Sequence, residues 1–193
     1  MKPKLKAKKT LENKAKHSRR DTESRPGMKG LSKKEMEIVS WLEFHERYFF
    51  TSTDIDRFAE NRTQRYNVIK NLAKKGRIAR LNRAKYYLVP VRARSGRWSE
   101  NPFIIADEAC DGKDYFIGGW AAANYWKLTD QIPMRIDVYT TRRQGNLNVL
   151  NAKITFHRTS KRRLGKAVVK RVQGHSFRML SRKEAKKWMK SRQ

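Results

Sequence analysis

Apolar residues recur at helical spacing three times between residues 32 and 76. The first pattern follows Ser32 and Glu35, which are spaced as a capping box, and the second follows Thr51. The third begins after Asn61, a residue type that often caps helices, and ends before Gly76, which suits a left-handed C-terminal position. The sequence therefore predicts three short helices in this segment.

Two β-prone runs come next, at 77–81 and 85–89, on either side of Asn82-Arg83. Polar turn residues between two such runs predict a hairpin, which Pro90 ends. Three helices followed by a hairpin are typical of a winged helix-turn-helix, whose third helix enters a DNA major groove. We therefore predict a winged helix-turn-helix over residues 31–90.

The pattern changes after a basic stretch at 91–101, which we interpret as a linker. Helices are predicted at 103–110 and 120–126, and Gly118-Gly119 introduces the second of them. Runs with alternating or β-branched residues predict three strands, at 135–141, 152–158 and 167–172. We therefore expect an α+β protein, in which residues 102–193 form a small α+β domain with an antiparallel sheet.

The chain ends in a second predicted capping box, Ser181 with Glu184, followed by a short basic helix. Trp188 could dock this helix on the sheet. The aromatic residues Trp120, Tyr125 and Trp126 are interpreted as core packing in preference to ligand contact, because apolar helical residues more often lie in a core.

Positive charge dominates the composition. The 193 residues include 47 Lys and Arg against 18 Asp and Glu, a formal net charge of +29. Residues 1–30 hold 11 of these cations and 3 acids, and residues 161–193 hold 13 cations and one acid. Such an excess repels itself in a compact state and favours a polyanionic partner. We expect residues 1–30 to be a basic arm that is disordered when free.

The candidate nucleic-acid contacts are the basic and amide side chains of the predicted third helix and hairpin. Gln and Asn can bond adenine bidentately, Arg can do so with guanine, and Lys and Arg neutralise phosphates. The predicted binding residues are Arg62, Thr63, Gln64, Arg65, Asn67 and Lys70 in the helix, and Arg80, Arg83 and Lys85 in the hairpin.

The sequence shows no features typical of a secreted, membrane-spanning, disulfide-bonded or zinc-binding protein. The N-terminus has no apolar core typical of a signal peptide, and no apolar run is long enough to span a bilayer. Cys110 is the only cysteine, which excludes an internal disulfide and fits a reducing compartment. The four histidines lack zinc spacing. We expect a cytoplasmic protein with no membrane partner, no metal and no cofactor.

Catalysis has one candidate cluster, Asp107, Glu108, Asp111 and Asp114, which could suggest a metal-dependent nuclease. The sequence offers no matching His or Lys constellation near them, so a solvated acidic patch is the preferred interpretation. Cys110 has no nucleophile motif around it and is interpreted as buried packing. We therefore predict a protein that is not an enzyme.

The second half contains a stretch that resembles a known family. Residues 115–133, YFIGGWAAANYWKLTDQIP, look like the core signature of AbiEi-type antitoxins, and residues 137–143, DVYTTRR, resemble the strand that follows it. These are bacterial and archaeal transcriptional regulators related to type IV toxin–antitoxin systems. The resemblance covers roughly residues 36–178. It implies a preceding winged helix-turn-helix and a cognate nucleotidyltransferase-like toxin as partner.

The functional prediction is a DNA-binding transcriptional regulator of the AbiEi antitoxin type. The alternative is an RNA- or ribosome-binding protein that uses the same winged domain and basic ends, with Tyr86-Tyr87 and Trp98 as stacking candidates. Winged folds bind duplexes more often than single strands, so duplex DNA is preferred.

Overall fold

A computed structural model describes residues 30–90, 93 and 100–192. Its first part contains helix α1 (Lys33–Phe44), strand β1 (Phe49–Thr51), a 3₁₀ helix (Ser52–Phe58), helix α2 (Arg62–Lys74) and strands β2 (Ile78–Arg80) and β3 (Lys85–Leu88). The strands form an antiparallel sheet in the order β1-β3-β2. The helical periodicity and the hairpin pattern thus agree with the structure, although the second helix is of the 3₁₀ type.

The local signals at the helix ends are confirmed. The Ser32 hydroxyl accepts a hydrogen bond from Glu35 N, and the Glu35 carboxylate accepts one from Ser32 N. Gly76 has a φ of 66°, the left-handed conformation that its position requires. The core of this part consists of Ile38, Val39, Leu42, Phe50, Ile55, Val68, Ile69, Leu72, Ile78 and Leu88.

The second part is built on a six-stranded sheet in the order β6-β7-β5-β4-β9-β8. Its strands are β4 (Tyr115–Gly118), β5 (Ile136–Thr140), β6 (Gly145–Val149), β7 (Ala152–Arg158), β8 (Ala167–Val172) and β9 (His175–Leu180). With both sheets and the helices, the protein is α+β.

The expectation that this sheet is purely antiparallel is wrong. The pairs β4–β5, β6–β7 and β8–β9 are antiparallel, but β5–β7 and β4–β9 are parallel. Strands β5 and β4 form the central pair. The β6–β7 hairpin joins it through β7, which lies beside β5, and the β8–β9 hairpin joins it through β9, which lies beside β4. Because β6 pairs with β7 and leaves the edge of β5 open, β7 can run beside β5 in the same direction.

Helices cover the sheet. Helix α3 (Pro102–Ala109) packs against β7 and β9, and helix α4 (Gly119–Tyr125) packs against β4, β5 and the last helix. A single turn, α5 (Lys161–Leu164), precedes β8, and α6 (Arg182–Lys190) follows β9. We expected the last helix to dock on the sheet through Trp188, but it packs on α4 instead, where the ring centroids of Trp188 and Trp120 lie 5.3 Å apart, edge to face.

The Gly118-Gly119 pair allows α4 to start directly after β4. Gly119 has a φ of 60°, and a Cβ there would lie 2.7 Å from Asp137 Oδ2. A Cβ at Gly118 would lie 2.8 Å from the ring of Tyr139. No other residue fits this junction without displacing Asp137 or Tyr139, so the pair sets the close approach of α4 to β5.

The hairpin and the second part share one core. Leu81, Tyr87 and Val89 are buried in the same cluster as Ile105 and Ala106 of α3. Packing therefore runs continuously from the β2–β3 hairpin into the six-stranded sheet. The predicted basic arm (1–30) and linker (91–101), with Trp98, lie outside the described residues except for Gly30, Ala93, Glu100 and Asn101.

Candidate nucleic-acid interface

A side-chain cap fixes the residue at which helix α2 begins. The Asn61 side chain accepts a hydrogen bond from Gln64 N at 2.9 Å, as the sequence predicts. The Gln64 side chain turns back and accepts one from Glu60 N at 2.7 Å. The helix contains four Lys and Arg residues and no acid, so its own side chains contribute positive charge only.

One face of α2 is exposed and polar. Thr63, Asn67, Lys70 and Lys74 are all exposed, and their spacing of four, three and four residues places them on one side. We call this set the α2 stripe. The buried residues Val68, Ile69 and Leu72 lie on the opposite side. The stripe therefore points away from the core.

The other predicted residues of α2 lie off this stripe. Arg65 is on the core side and forms an ion pair with Asp56 of the 3₁₀ helix. Gln64 lies on one flank of the helix, and its side-chain oxygen accepts a hydrogen bond from the backbone N–H of Glu60. Arg62 is exposed on the other flank. Of the six predicted helix residues, the structure thus places Thr63, Asn67 and Lys70 together, while sequence reasoning missed Lys74.

The hairpin cations have different surroundings. The Arg80 guanidinium donates to the carbonyls of Asn82 and Arg83, at 2.9 and 3.0 Å, and so closes the turn. The Arg83 side chain is exposed at the tip. Lys85 is half-buried, and its Nζ lies 2.6 Å from Glu108 and 3.4 Å from Asp111. Arg83 is thus the hairpin cation that is most open to a ligand.

A basic cleft of about 770 Å³ runs beside the hairpin tip. Arg80 and Arg83 border it on one side, and Arg142 and Arg143, from the turn after β5, border it on the other. The Arg143 guanidinium donates to the Leu81 carbonyl at 2.9 Å, and Arg142 donates to the Cys110 carbonyl at 3.1 Å. These two arginines, which sequence reasoning missed, hold the turn after β5 against the hairpin and α3.

The acidic cluster of α3 has a histidine beside it, contrary to the sequence expectation. His175 Nε2 lies 2.9 Å from Asp107 Oδ2 and 4.0 Å from Glu108 Oε1. The Tyr115 hydroxyl donates to Asp107 Oδ1 at 2.5 Å. His175 follows Asp107 by 68 residues and is brought to it by the packing of α3 on β9, so linear spacing gave no signal.

These groups could present three ligand atoms to one cation, since the atoms of Asp107, Glu108 and His175 lie within 4.8 Å of one another. The surrounding contacts favour a different role. Lys85 already places an ammonium against Glu108. Burial opposes the charge on Lys85, but Glu108 and Asp111 outweigh it, so the pKa of Lys85 is raised. The cluster therefore acts as an ion-pair network that ties the hairpin to α3.

Cys110 is buried, as predicted. Burial is the main cause that raises the pKa of its thiol to about 12, and the nearby Asp107 adds to the rise. The thiolate is the nucleophilic form of cysteine, and this environment suppresses it near neutral pH. The arrangement around Cys110 is therefore suited to packing and not to nucleophilic chemistry.

The aromatic residues of the AbiEi-like stretch are packed within the protein. Trp120 contacts Trp188, and Tyr125 contacts Phe177. Trp126 Nε1 donates to the Leu180 carbonyl at 2.8 Å. Tyr125 and Trp126 pack against the core as we interpreted them, whereas the half-buried Trp120 packs on Trp188 of the last helix. Exposed apolar side chains occur instead in the loop that follows, at Ile132 and Met134, which are 80% and 83% exposed.

Comparison with solved structures gives a distant likeness. No protein-family model and no characterised sequence matches this chain. Among solved structures, it is similar to the crystal structure of the RV2827C protein from Mycobacterium tuberculosis, at 16% sequence identity and a TM-score of 0.49. The likeness covers 70% of this chain and 48% of that one, so this chain spans about half the length of its neighbour. Among residues 30–90, 93 and 100–192, no helix is long and apolar enough to cross a membrane.

Proposed function

We propose that the protein binds duplex DNA through the α2 stripe, in the manner of a winged helix-turn-helix, and acts as a transcriptional regulator without catalytic activity. The observation that carries the proposal is the stripe itself. An amide, a hydroxyl and two ammonium groups are exposed together on an acid-free helix, opposite its buried face. Asn67 can bond adenine in the major groove, and Lys70 and Lys74 can neutralise phosphates.

The hairpin supports the same mode of binding. In winged helix-turn-helix proteins the hairpin follows the recognition helix and lies beside the duplex. Here the β2–β3 hairpin follows α2 directly, and its exposed tip carries Arg83. The interactions of Arg80 and Lys85 within the protein shape and anchor this hairpin, so we assign them to its support and Arg83 to phosphate contact.

The test is a titration of the full chain with a duplex selected from a random pool, with a scrambled duplex, and with a structured RNA at physiological salt. Asn67→Ala should lower the preference for the selected duplex by about 1–3 kcal/mol if Asn67 contacts a base. The matched control is Asn148→Ala, an exposed asparagine of β6, which should leave affinity unchanged. Equal losses on selected and scrambled duplexes would remove Asn67 from base recognition. Tighter binding to RNA than to either duplex would favour the RNA- or ribosome-binding alternative.

A second candidate function is neutralisation of a nucleotidyltransferase-like toxin, which the resemblance to AbiEi-type antitoxins implies. Ile132 and Met134 favour it, because two large apolar side chains, two positions apart in sequence, are exposed within or next to the family-like stretch. Co-expression of the full chain with the product of the adjacent gene tests this function. Ile132→Ser with Met134→Ser should abolish growth rescue, whereas Leu150→Ser, another exposed apolar residue, should not. An adjacent product without toxicity would leave a stand-alone DNA binder.

A further inference from the structure

Among the described residues, four arginines and one acid line the basic cleft beside the hairpin tip: Arg80, Arg83, Arg142, Arg143 and Asp111. Two of the arginines come from the hairpin and two from the turn after β5. The cleft of about 770 Å³ therefore lies between the β2–β3 hairpin and the six-stranded sheet, with positive charge on both sides.

Backbone carbonyls hold two of these arginines in place. Arg143 donates to the Leu81 carbonyl at 2.9 Å. Arg80 donates to the next two carbonyls of the turn, those of Asn82 and Arg83, at 2.9 and 3.0 Å. A carbonyl carries no net charge, and a guanidinium has five N–H donors. These contacts therefore orient Arg80 and Arg143 without neutralising their charge.

The acid in the lining is already shared by several partners. Asp111 accepts a hydrogen bond from the Asn82 side-chain amide at 2.9 Å and lies 3.4 Å from Lys85 Nζ. Its other oxygen is 3.6 Å from Arg142 Nη1, and the Arg142 side chain is 47% exposed. Because Asn82 and Lys85 also contact the carboxylate, an anion that binds Arg142 would leave Asp111 paired.

Arg83 connects the cleft to the surface that we propose for duplex binding. Its side chain is exposed at the hairpin tip and also lines the cleft. In winged helix-turn-helix proteins the hairpin lies beside the duplex. A duplex strand whose phosphate meets Arg83 would therefore pass the cleft, where Arg142 borders the same space from the side of the sheet.

We propose that the sugar–phosphate backbone of the duplex continues past the hairpin tip into this cleft, where Arg142 binds a further phosphate. The inference rests on the proposed duplex binding and extends the interface to the second part of the chain. Arg80 and Arg143 shape the cleft and add to its positive charge. Phosphate contacts carry no direct sequence information, so Arg142 adds affinity to any duplex that is long enough to reach it.

The experiment titrates the full chain with the selected duplex and with a series of that duplex shortened stepwise from either end. Arg142→Gln should weaken binding to the long duplex about 3- to 10-fold at low salt and lower the salt slope by about 0.9, the value for one phosphate. The preference for selected over scrambled duplex should stay unchanged. On a duplex too short to reach the cleft, Arg142→Gln and the unmodified chain should bind equally.

Two variants separate charge from packing. Arg142→Lys keeps the positive charge and should retain the salt slope. Arg171→Gln removes an exposed arginine from β8, the edge strand on the other side of the sheet from β6, and should change neither affinity nor slope. Urea unfolding of each variant confirms that it is folded.

The outcomes distinguish this inference from the proposed function. If Lys70→Gln with Lys74→Gln and Arg83→Gln weaken duplex binding but folded Arg142→Gln does not, the inference alone is overturned. An equal loss on every length of duplex would also overturn it, because Arg142 would then not act on an extended backbone. A loss seen with structured RNA and not with the duplex would assign the cleft to RNA instead. No duplex binding by the unmodified chain would overturn both.

Discussion

Two sets of cations in this protein have similar chemistry and different surroundings. Lys70 and Lys74 of the α2 stripe are exposed, and neither forms an ion pair with the acids in the described part of the chain. Lys75, one residue beyond the helix, lies 2.5 Å from Glu35, and Lys85 of the hairpin lies 2.6 Å from Glu108. The first set is open to a ligand, whereas the second holds elements of the fold together.

Positive charge thus has two uses in this protein, ligand binding and internal pairing, and amino-acid composition does not distinguish them. A net charge of +29 predicts a polyanionic partner, but it does not tell which cations meet that partner. A cation that already satisfies a half-buried carboxylate would leave that carboxylate unpaired if it moved to a phosphate. Phosphate binding by Lys70 and Lys74 of the α2 stripe would leave no carboxylate unpaired. We therefore expect the binding surface at cations of this kind.

Lys85→Ala should have the largest effect on stability. It removes the ammonium from Glu108, whose side chain is only 18% exposed, and we expect a decrease of about 1–3 kcal/mol in the free energy of unfolding. Because the pKa of Lys85 is raised in the folded state, the contribution is fully present below the unfolded pKa of about 10.4 and is lost as pH rises through the folded pKa. Urea unfolding at pH 7 and above pH 10 measures both effects. Lys113→Ala, an exposed lysine, is the control, and equal stability of the two variants would contradict the anchoring role.

Glu35→Gln tests the interaction that ties α1 to the end of α2, with an expected decrease in stability of about 1–2 kcal/mol at neutral pH. Burial favours the neutral acid, but hydrogen bonds from Lys75 and Ser32 outweigh it, so the pKa of Glu35 is lowered. Its contribution is therefore present above the unfolded pKa of about 4.3 and is lost as pH falls through the folded pKa. The stability gap between wild type and variant should narrow in acid. Glu37→Gln, exposed on the same helix, should be neutral at every pH, and a gap of constant size would argue against the linkage.

Lys70→Gln with Lys74→Gln should have the smallest effect on stability, within about 0.5 kcal/mol, because neither side chain supports the fold. Duplex affinity should nevertheless fall, and the slope of log K against log salt should decrease by about 0.9 for each phosphate that is no longer neutralised. Binding titrations between low and physiological salt measure the slope. An unchanged salt slope together with a loss of stability would show that Lys70 and Lys74 support the fold and do not bind the duplex.

Much of the fold could be predicted from the sequence because its signals are local. The capping box at Ser32, the cap at Asn61 and the turn at Asn82 each act within a few residues, and all three are formed. Strands β1, β4, β6 and β9 were not predicted. Tyr115–Gly118 is buried on both faces and shows no alternation, so it lacks the period that identifies a half-exposed strand.

The candidate site was only partly predictable. The sequence placed Thr63, Asn67 and Lys70 on the third helix, but it could not show that Arg65 turns toward Asp56. The pairing of Lys85 with Glu108 joins residues that are 23 apart, and that of His175 with Asp107 joins residues that are 68 apart. The hydrogen bond from Arg143 to the Leu81 carbonyl joins residues that are 62 apart. Composition and periodicity hold no information on such pairings.

The core that the hairpin shares with α3 limits how the molecule can be divided. Tyr87 and Leu81 are 0% and 1% exposed, and they belong to the same buried cluster as Ile105 and Ala106, which lie beyond Pro90. A fragment that ends at the hairpin would present these side chains to water and self-associate, and one that begins at α3 would lose the same cover from its other side. Deletion analysis would then report aggregation in place of function. Point substitutions in the intact chain are the means of assigning its two candidate surfaces.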